Sequence, residues 1–148
     1  MRLTLFVSAL ALLCVLAACK HGPPIKGDHE VSYASVTIST LAAGWSKKAD
    51  VYFPSDYVQN ASSPLPVIAF GHSWGFGGLW TPIAYRTLYL DIASFGFVVV
   101  APRSCPLFFC PDFHLDVFAS IEALQNKTTE PQLEISDYVD RNRSGAIG

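Results

Sequence analysis

Apolar and polar positions alternate in some stretches of this chain and run together in others, and the contrast separates its elements. Residues 31–40 (VSYASVTIST) alternate, with β-branched side chains at many positions, which predicts a strand with one buried face. Residues 42–44 (AAG) predict a turn, and residues 49–53 (ADVYF) a second strand halted by Pro54. The two together suggest an antiparallel pair. After a loop rich in Ser, Pro and Asn (residues 55–66), residues 66–70 (PVIAF) are a short unbroken apolar run, as expected of a strand covered on both faces. A glycine-rich segment, residues 71–78, follows. Residues 82–94 carry Ile83, Leu88, Leu90, Ile92 and Ala93 at helical spacing, and Gly96 is placed to end that helix. Residues 97–101 (FVVVA) are a second unbroken run. Strand, helix and strand in this compass predict a βαβ unit with a right-handed crossover and a parallel pair. Beyond a loop at 102–111, residues 112–125 are amphipathic, with Phe113, Val117, Ile121 and Leu124 on one stripe and Asp112 placed to cap or charge the N-terminus. Residues 128–143 read as polar and turn-like, and residues 144–148 (SGAIG) begin another apolar run. The expected class is α/β, with antiparallel edge strands leading into a parallel sheet.

Residues 1–19 (MRLTLFVSALALLCVLAAC) fit none of this. Arg2 is a short positive region, residues 3–16 are apolar apart from Thr4 and Ser8, and Ala17-Ala18-Cys19 offers small residues to a peptidase. That is the pattern of a secretory signal peptide, shorter than the roughly 20 apolar residues of an uncleaved anchor. Residues 20–30 are expected to form a flexible leader, and residues 31–148 the folded part. Leu16-Ala17-Ala18-Cys19 also resembles a bacterial lipobox, in which Cys19 would carry lipid and hold the protein to a membrane. Against this, all three asparagines lie in N-x-[S/T] sequons, at Asn60, Asn126 and Asn142, which fits a eukaryotic secretory route and makes them glycosylation candidates. The expected destination is the secreted or extracellular space, with the lipid-anchored form as the alternative.

Composition narrows the function. With 148 residues, 51% hydrophobic and 15% charged, the chain is one domain at most and not a disordered tail. A net charge of −2 and a pI near 6.0 exclude the basic face that nucleic-acid binding needs. The mean hydropathy of +0.32 owes much to residues 1–19. Four cysteines become two or three after cleavage. Cys105 and Cys110 flank Pro106 closely enough for a disulfide in an oxidising compartment, with two buried thiols as the equal alternative. No second Cys/His pair completes a metal site, and no metal or cofactor is expected.

Gly71-His72-Ser73-Trp74-Gly75 matches G-x-S-x-G, the strand-to-helix turn that exposes a nucleophilic serine. Asp91 or Asp112, then His114, would complete the order Ser, Asp, His. The next residues argue otherwise. Gly75, Gly77, Gly78 and Pro82 oppose an immediate helix, each interior glycine costing about 1 kcal/mol. Asp112 and His114, two apart on a helix, do not face each other. The segment reads better as an oxyanion loop following the third strand. Its glycines let backbone approach substrate, and the Trp74 N–H would meet the developing oxyanion, a contribution of about 3–4 kcal/mol in such sites. His72, Trp74, Gly75 and Phe76 would line the substrate pocket. The plainer alternative is an ordinary loop with Trp74 and Trp80 buried.

Residues 49–54 (ADVYFP), 64–78 (PLPVIAFGHSWGFGG), 90–102 (LDIASFGFVVVAP), 112–126 and 139–148 (VDRNRSGAIG) resemble the chlorophyllase, cutinase and polyester-hydrolase branch of the α/β-hydrolases, near the dienelactone-hydrolase type. The likeness covers residue 31 onward and is most specific in the middle block. The family loop usually has glycine where Ser73 stands, so the G-x-S-x-G match is read as coincidental. The resemblance implies a secreted serine hydrolase of carboxylic esters, without a cofactor. In the family a D-x-x-R-x-G-x-x-G strand runs into G-H-S-x-G-G, so Gly148 corresponds to the first glycine of the nucleophile turn. The resemblance therefore implies an N-terminal fragment that carries the oxyanion loop and lacks the triad. A miniature esterase using Ser73, and a non-enzymatic secreted or lipid-anchored binding protein, are the alternatives.

Overall fold

The computed structural model describes residues 26–42, 46–57, 63–72, 83–104 and 112–148. Five strands form one sheet: β1 (Val31–Thr37), β2 (Lys48–Pro54), β3 (Leu65–Phe70), β4 (Val98–Pro102) and β5 (Val139–Ile147). Helix α1 (Arg86–Ser94) connects β3 to β4, and α2 (Phe113–Gln125) with a 3-10 turn (Glu134–Asp137) leads to β5. The sheet order is β1-β2-β4-β3-β5. β1 and β2 pair antiparallel, as do β2 and β4, while β3 lies parallel to both β4 and β5.

The strand period of two distributes the core between two layers. Val51, Val67, Ala69, Val98 and Val100 pack with Val117, Ile121 and Leu124 of α2. Their neighbours Tyr52, Phe70, Val99 and Ala101 point the other way and pack with Tyr89 and Ala93 of α1. Val98 to Ala101 are all buried because a helix covers each face, which is why the run has no polar member.

α1 ends as expected. Gly96 adopts φ +90°, open to glycine at little cost, and its N–H donates to the Ala93 carbonyl at 3.0 Å. The apolar stripe of that helix differs from the one expected. Tyr89 and Ala93 are buried, whereas Ile83 and Leu88 are exposed. Tyr89 carries the packing because an aromatic there reaches Tyr52 and Phe70 across the sheet. At α2, Asp112 occupies the N-cap but its side chain makes no capping bond; its backbone carbonyl accepts from Leu115 N–H at 2.9 Å instead.

Two further expectations change. Residues 128–143 are not merely turns: Glu134–Asp137 is a 3-10 turn and the strand starts at Val139. Its polar sequence concealed it, since backbone pairing with β3 holds an edge strand whose residues 141–148 are exposed. The register slips between Leu65 and Val67, which pair with Val139 and Ser144. Across that slip Arg143 binds Asp140 Oδ2 through Nε at 2.5 Å, and its Nη2 donates to the Pro64 carbonyl at 2.6 Å. The end of the expected leader is tied down. Gly27 N–H donates to Ser94 Oγ at 2.8 Å, and His29 N–H to the Ser94 carbonyl at 3.1 Å. A Cβ at Gly27 would stand 2.1 Å from the Ser94 carbonyl oxygen, so only glycine allows this approach. No helix among the described residues is long and apolar enough to cross a membrane.

Tyr33, Tyr52, Phe70, Tyr85 and Tyr89 form a ladder of rings on the α1 face, with centroids 4.9–6.3 Å apart. Burial, first of all, holds the hydroxyls of Tyr33, Tyr52 and Tyr89 above the ordinary tyrosine range, and Asp50 adds to the effect. Tyr57, on the opposite face, is raised by burial and then by Glu134. The folded chain therefore keeps protons that the unfolded chain releases above a pH of about 10. Stability, fully present below that pH, should fall as the pH climbs through the raised values. Urea midpoints measured from pH 8 to 11 should be level to about pH 9.5 and then decline; a midpoint that rises above pH 10 contradicts this.

Candidate active site

The chain reverses its direction of travel across the sheet at β3. One crossover, through α1, steps from β3 to β4; the next, through α2, returns over β3 to place β5 on its other side. In open α/β sheets such a switch point leaves a crevice at the carboxyl ends of the strands, where ligands bind. A cavity of about 320 Å³ lies there. The ends of β3 and β5 supply Gly71, His72, Ile147 and Gly148, and the first turns of α2 supply Phe113, His114 and Phe118.

Backbone packing fixes the two strand ends. Gly71 N–H donates to the Ile147 carbonyl at 2.6 Å. A Cβ on Gly148 would lie 3.1 Å from the Gly71 carbonyl oxygen and 3.4 Å from its Cα, so a glycine lets the strands run this close at their tips. The His72 side chain turns inward, 8% exposed, and its ring lies against Phe113 with centroids 4.1 Å apart and planes tilted 34°. Among the described residues, the cavity thus has aromatic and aliphatic walls, two imidazoles and no carboxylate. That suits an uncharged, largely apolar group, with polar chemistry confined to the rim. Among the described residues, no group of three or more His, Cys, Asp or Glu could hold a metal ion.

Of the residues singled out by sequence, His72 is placed in this cavity. Ser73, Trp74, Gly75 and Phe76 lie outside the described residues, directly beyond it in the chain, as do Cys19, Asn60, Cys105 and Cys110. Asn126 is the C-cap of α2, its N–H donating to the Glu122 carbonyl at 2.8 Å, and Asn142 is exposed on β5. His114 lines the cavity on the α2 face, whereas Asp91 lies on α1, which packs on the opposite face. Asp112 sits at the N-cap of the helix that carries His114.

Sequence reasoning missed Phe118 and Ile147. Phe118 is 58% exposed and Ile147 46%. The signal for Phe118 was present: it is a large apolar residue off the stripe formed by Val117, Ile121 and Leu124. Ile147 could not be found this way, because its neighbour across the crevice is set by strand order.

No family model matches this sequence, and no curated protein matches it either. Among solved structures, the chain matches Bacterial Heroin Esterase, an α/β-hydrolase, with a TM-score of 0.52 at 16% identity, over 94% of this chain. The fold is that of an α/β-hydrolase, in part. The chain spans 40% of the length of that esterase.

Proposed function

We propose that this chain is the oxyanion-loop part of a secreted serine hydrolase acting on carboxylic esters, of the chlorophyllase and cutinase-like branch. One observation carries the reading. Gly71-His72, which opens the loop, and Gly148, which corresponds to the first glycine of a nucleophile turn, meet in one cavity at the carboxyl edge of the sheet. In such a site the nucleophile and the oxyanion donors must converge on one carbonyl.

On this reading the serine stands on the turn after β5. Its Oγ attacks the ester carbonyl, a histidine takes the proton, and an aspartate orients that histidine. The Trp74 N–H stabilises the oxyanion, and Phe113, Phe118 and Ile147 flank the apolar part of the ester. No cofactor enters. The apolar first nineteen residues and the three sequons support export.

Reading the coding sequence past codon 148 tests this. The expected continuation is His-Ser-x-Gly-Gly, and a fluorophosphonate probe should label that serine, not Ser73, in the longer chain. The 148-residue chain alone should neither take the probe nor turn over p-nitrophenyl butyrate. A stop codon there, with a folded and unlabelled product, would favour the binding-protein reading. Turnover lost on Ser73→Ala would establish the miniature esterase instead.

A further inference from the structure

A second cavity, of about 410 Å³, lies at the opposite, amino end of β3 and β4. Its walls include Tyr57, Leu65, Phe95 and Phe97, and among the described residues its basic groups are His29 and Arg143 and no carboxylate lines it. Each basic group is aimed by an acid that stands outside the lining. Asp56 holds His29 Nδ1 at 2.9 and 3.0 Å from its two oxygens, which leaves Nε2 for anything else the ring binds. That edge of the ring faces Gly96, a lining residue, whose Cβ position would lie 3.6 Å from Nε2. Arg143 spends Nε on Asp140 and Nη2 on the Pro64 carbonyl, which leaves Nη1. These bonds hold both side chains in place before any ligand arrives, so little rotamer freedom is lost on binding.

We propose that this cavity binds a small organic carboxylate with an apolar, preferably aromatic, body. Arg143 Nη1 and, when both ring nitrogens carry protons, His29 Nε2 donate to the carboxylate, and Tyr57, Phe95 and Phe97 cover the body. The site stands on residues that the ester-hydrolase reading does not use, so either can fail without the other.

The probe is phenylacetate, with phenylacetamide as its uncharged counterpart, titrated into the purified chain and followed by amide chemical shifts. Phenylacetate should bind saturably in the millimolar range or tighter, with shifts centred on Leu65, Phe95 and Gly96, and the amide should bind at least about tenfold more weakly. Arg143→Gln should raise the phenylacetate Kd at least about tenfold. Because Arg143 also ties β5 to Pro64, Phe95→Ala is the second variant: exposed and away from those bonds, it should weaken both ligands alike while the circular dichroism spectrum holds. No saturable binding, equal affinity for acid and amide, or shifts centred instead on Gly71 and Ile147 would each overturn the proposal.

Discussion

Replacing Arg103 by alanine should cost about 3 kcal/mol of folding stability, a large part of the 5–15 kcal/mol typical of a domain. The cause is Asp50, a carboxylate on the third residue of β2 that is 1% exposed. Arg103, just past β4, grips it with both a 2.6 Å bond from Nε to Oδ2 and a second bond from Nη2 to Oδ1. Tyr33 on β1 donates to Oδ1 at 2.7 Å. The register builds this triad. Asp50 pairs with Ser35 on one side and Ala101 on the other, so Tyr33 and Arg103 are its diagonal neighbours, within reach of long side chains. Removing the guanidinium leaves a buried charge with one neutral donor, which is the expensive way to break an ion pair. Asp50→Asn should cost less, because Arg103 is 29% exposed and can turn to water. Urea denaturation of both single variants and of the double variant checks this. A double variant less stable than Arg103→Ala would show that the carboxylate is not the source of the cost.

Tyr89 is the second position where a large effect is expected, and the sign depends on what is removed. Its ring is fully buried between Tyr52, Phe70 and Ala93. Tyr89→Ala should lose about 4 kcal/mol, from the lost burial and the cavity left between α1 and the sheet. Its hydroxyl, though, has no hydrogen-bond partner among the described residues. Tyr89→Phe should therefore be neutral or stabilising by up to about 1 kcal/mol, since the desolvation cost of the hydroxyl disappears. Thermal melts of the two variants separate the contributions. A Tyr89→Phe variant losing more than about 1 kcal/mol would mean that the hydroxyl is satisfied in solution.

Much of the fold was legible where one residue type admitted one explanation. An unbroken VVVA run needs cover on both faces, and a glycine after a helix marks its end; both held. Helix α2 was readable from its stripe of Val117, Ile121 and Leu124. The reading failed where the deciding partner was remote. Tyr89 was not among the apolar positions read for α1, and its burial depends on Tyr52 and Phe70 lying opposite it. Val139 to Arg143 looked like a turn because side-chain polarity reports burial, and an edge strand is held by its backbone.

The same division runs through the candidate site. Sequence alone marked the segment after β3, with His72 at its head, as the place where backbone meets substrate, because glycines are needed where a chain must come close. It also singled out Gly148, through a family motif. It could not say that Gly71 and Gly148 touch. They are 77 positions apart, and only the order β4-β3-β5 brings them together. Nor could it say that His114 and Asp91 lie on opposite faces of the sheet, since the side a helix takes is set by the direction in which its crossover runs. Composition and period therefore determined most of the strands and helices. The tertiary structure alone decided which of them met, because strand order and crossover direction are properties of the whole sheet that no local run of residues encodes.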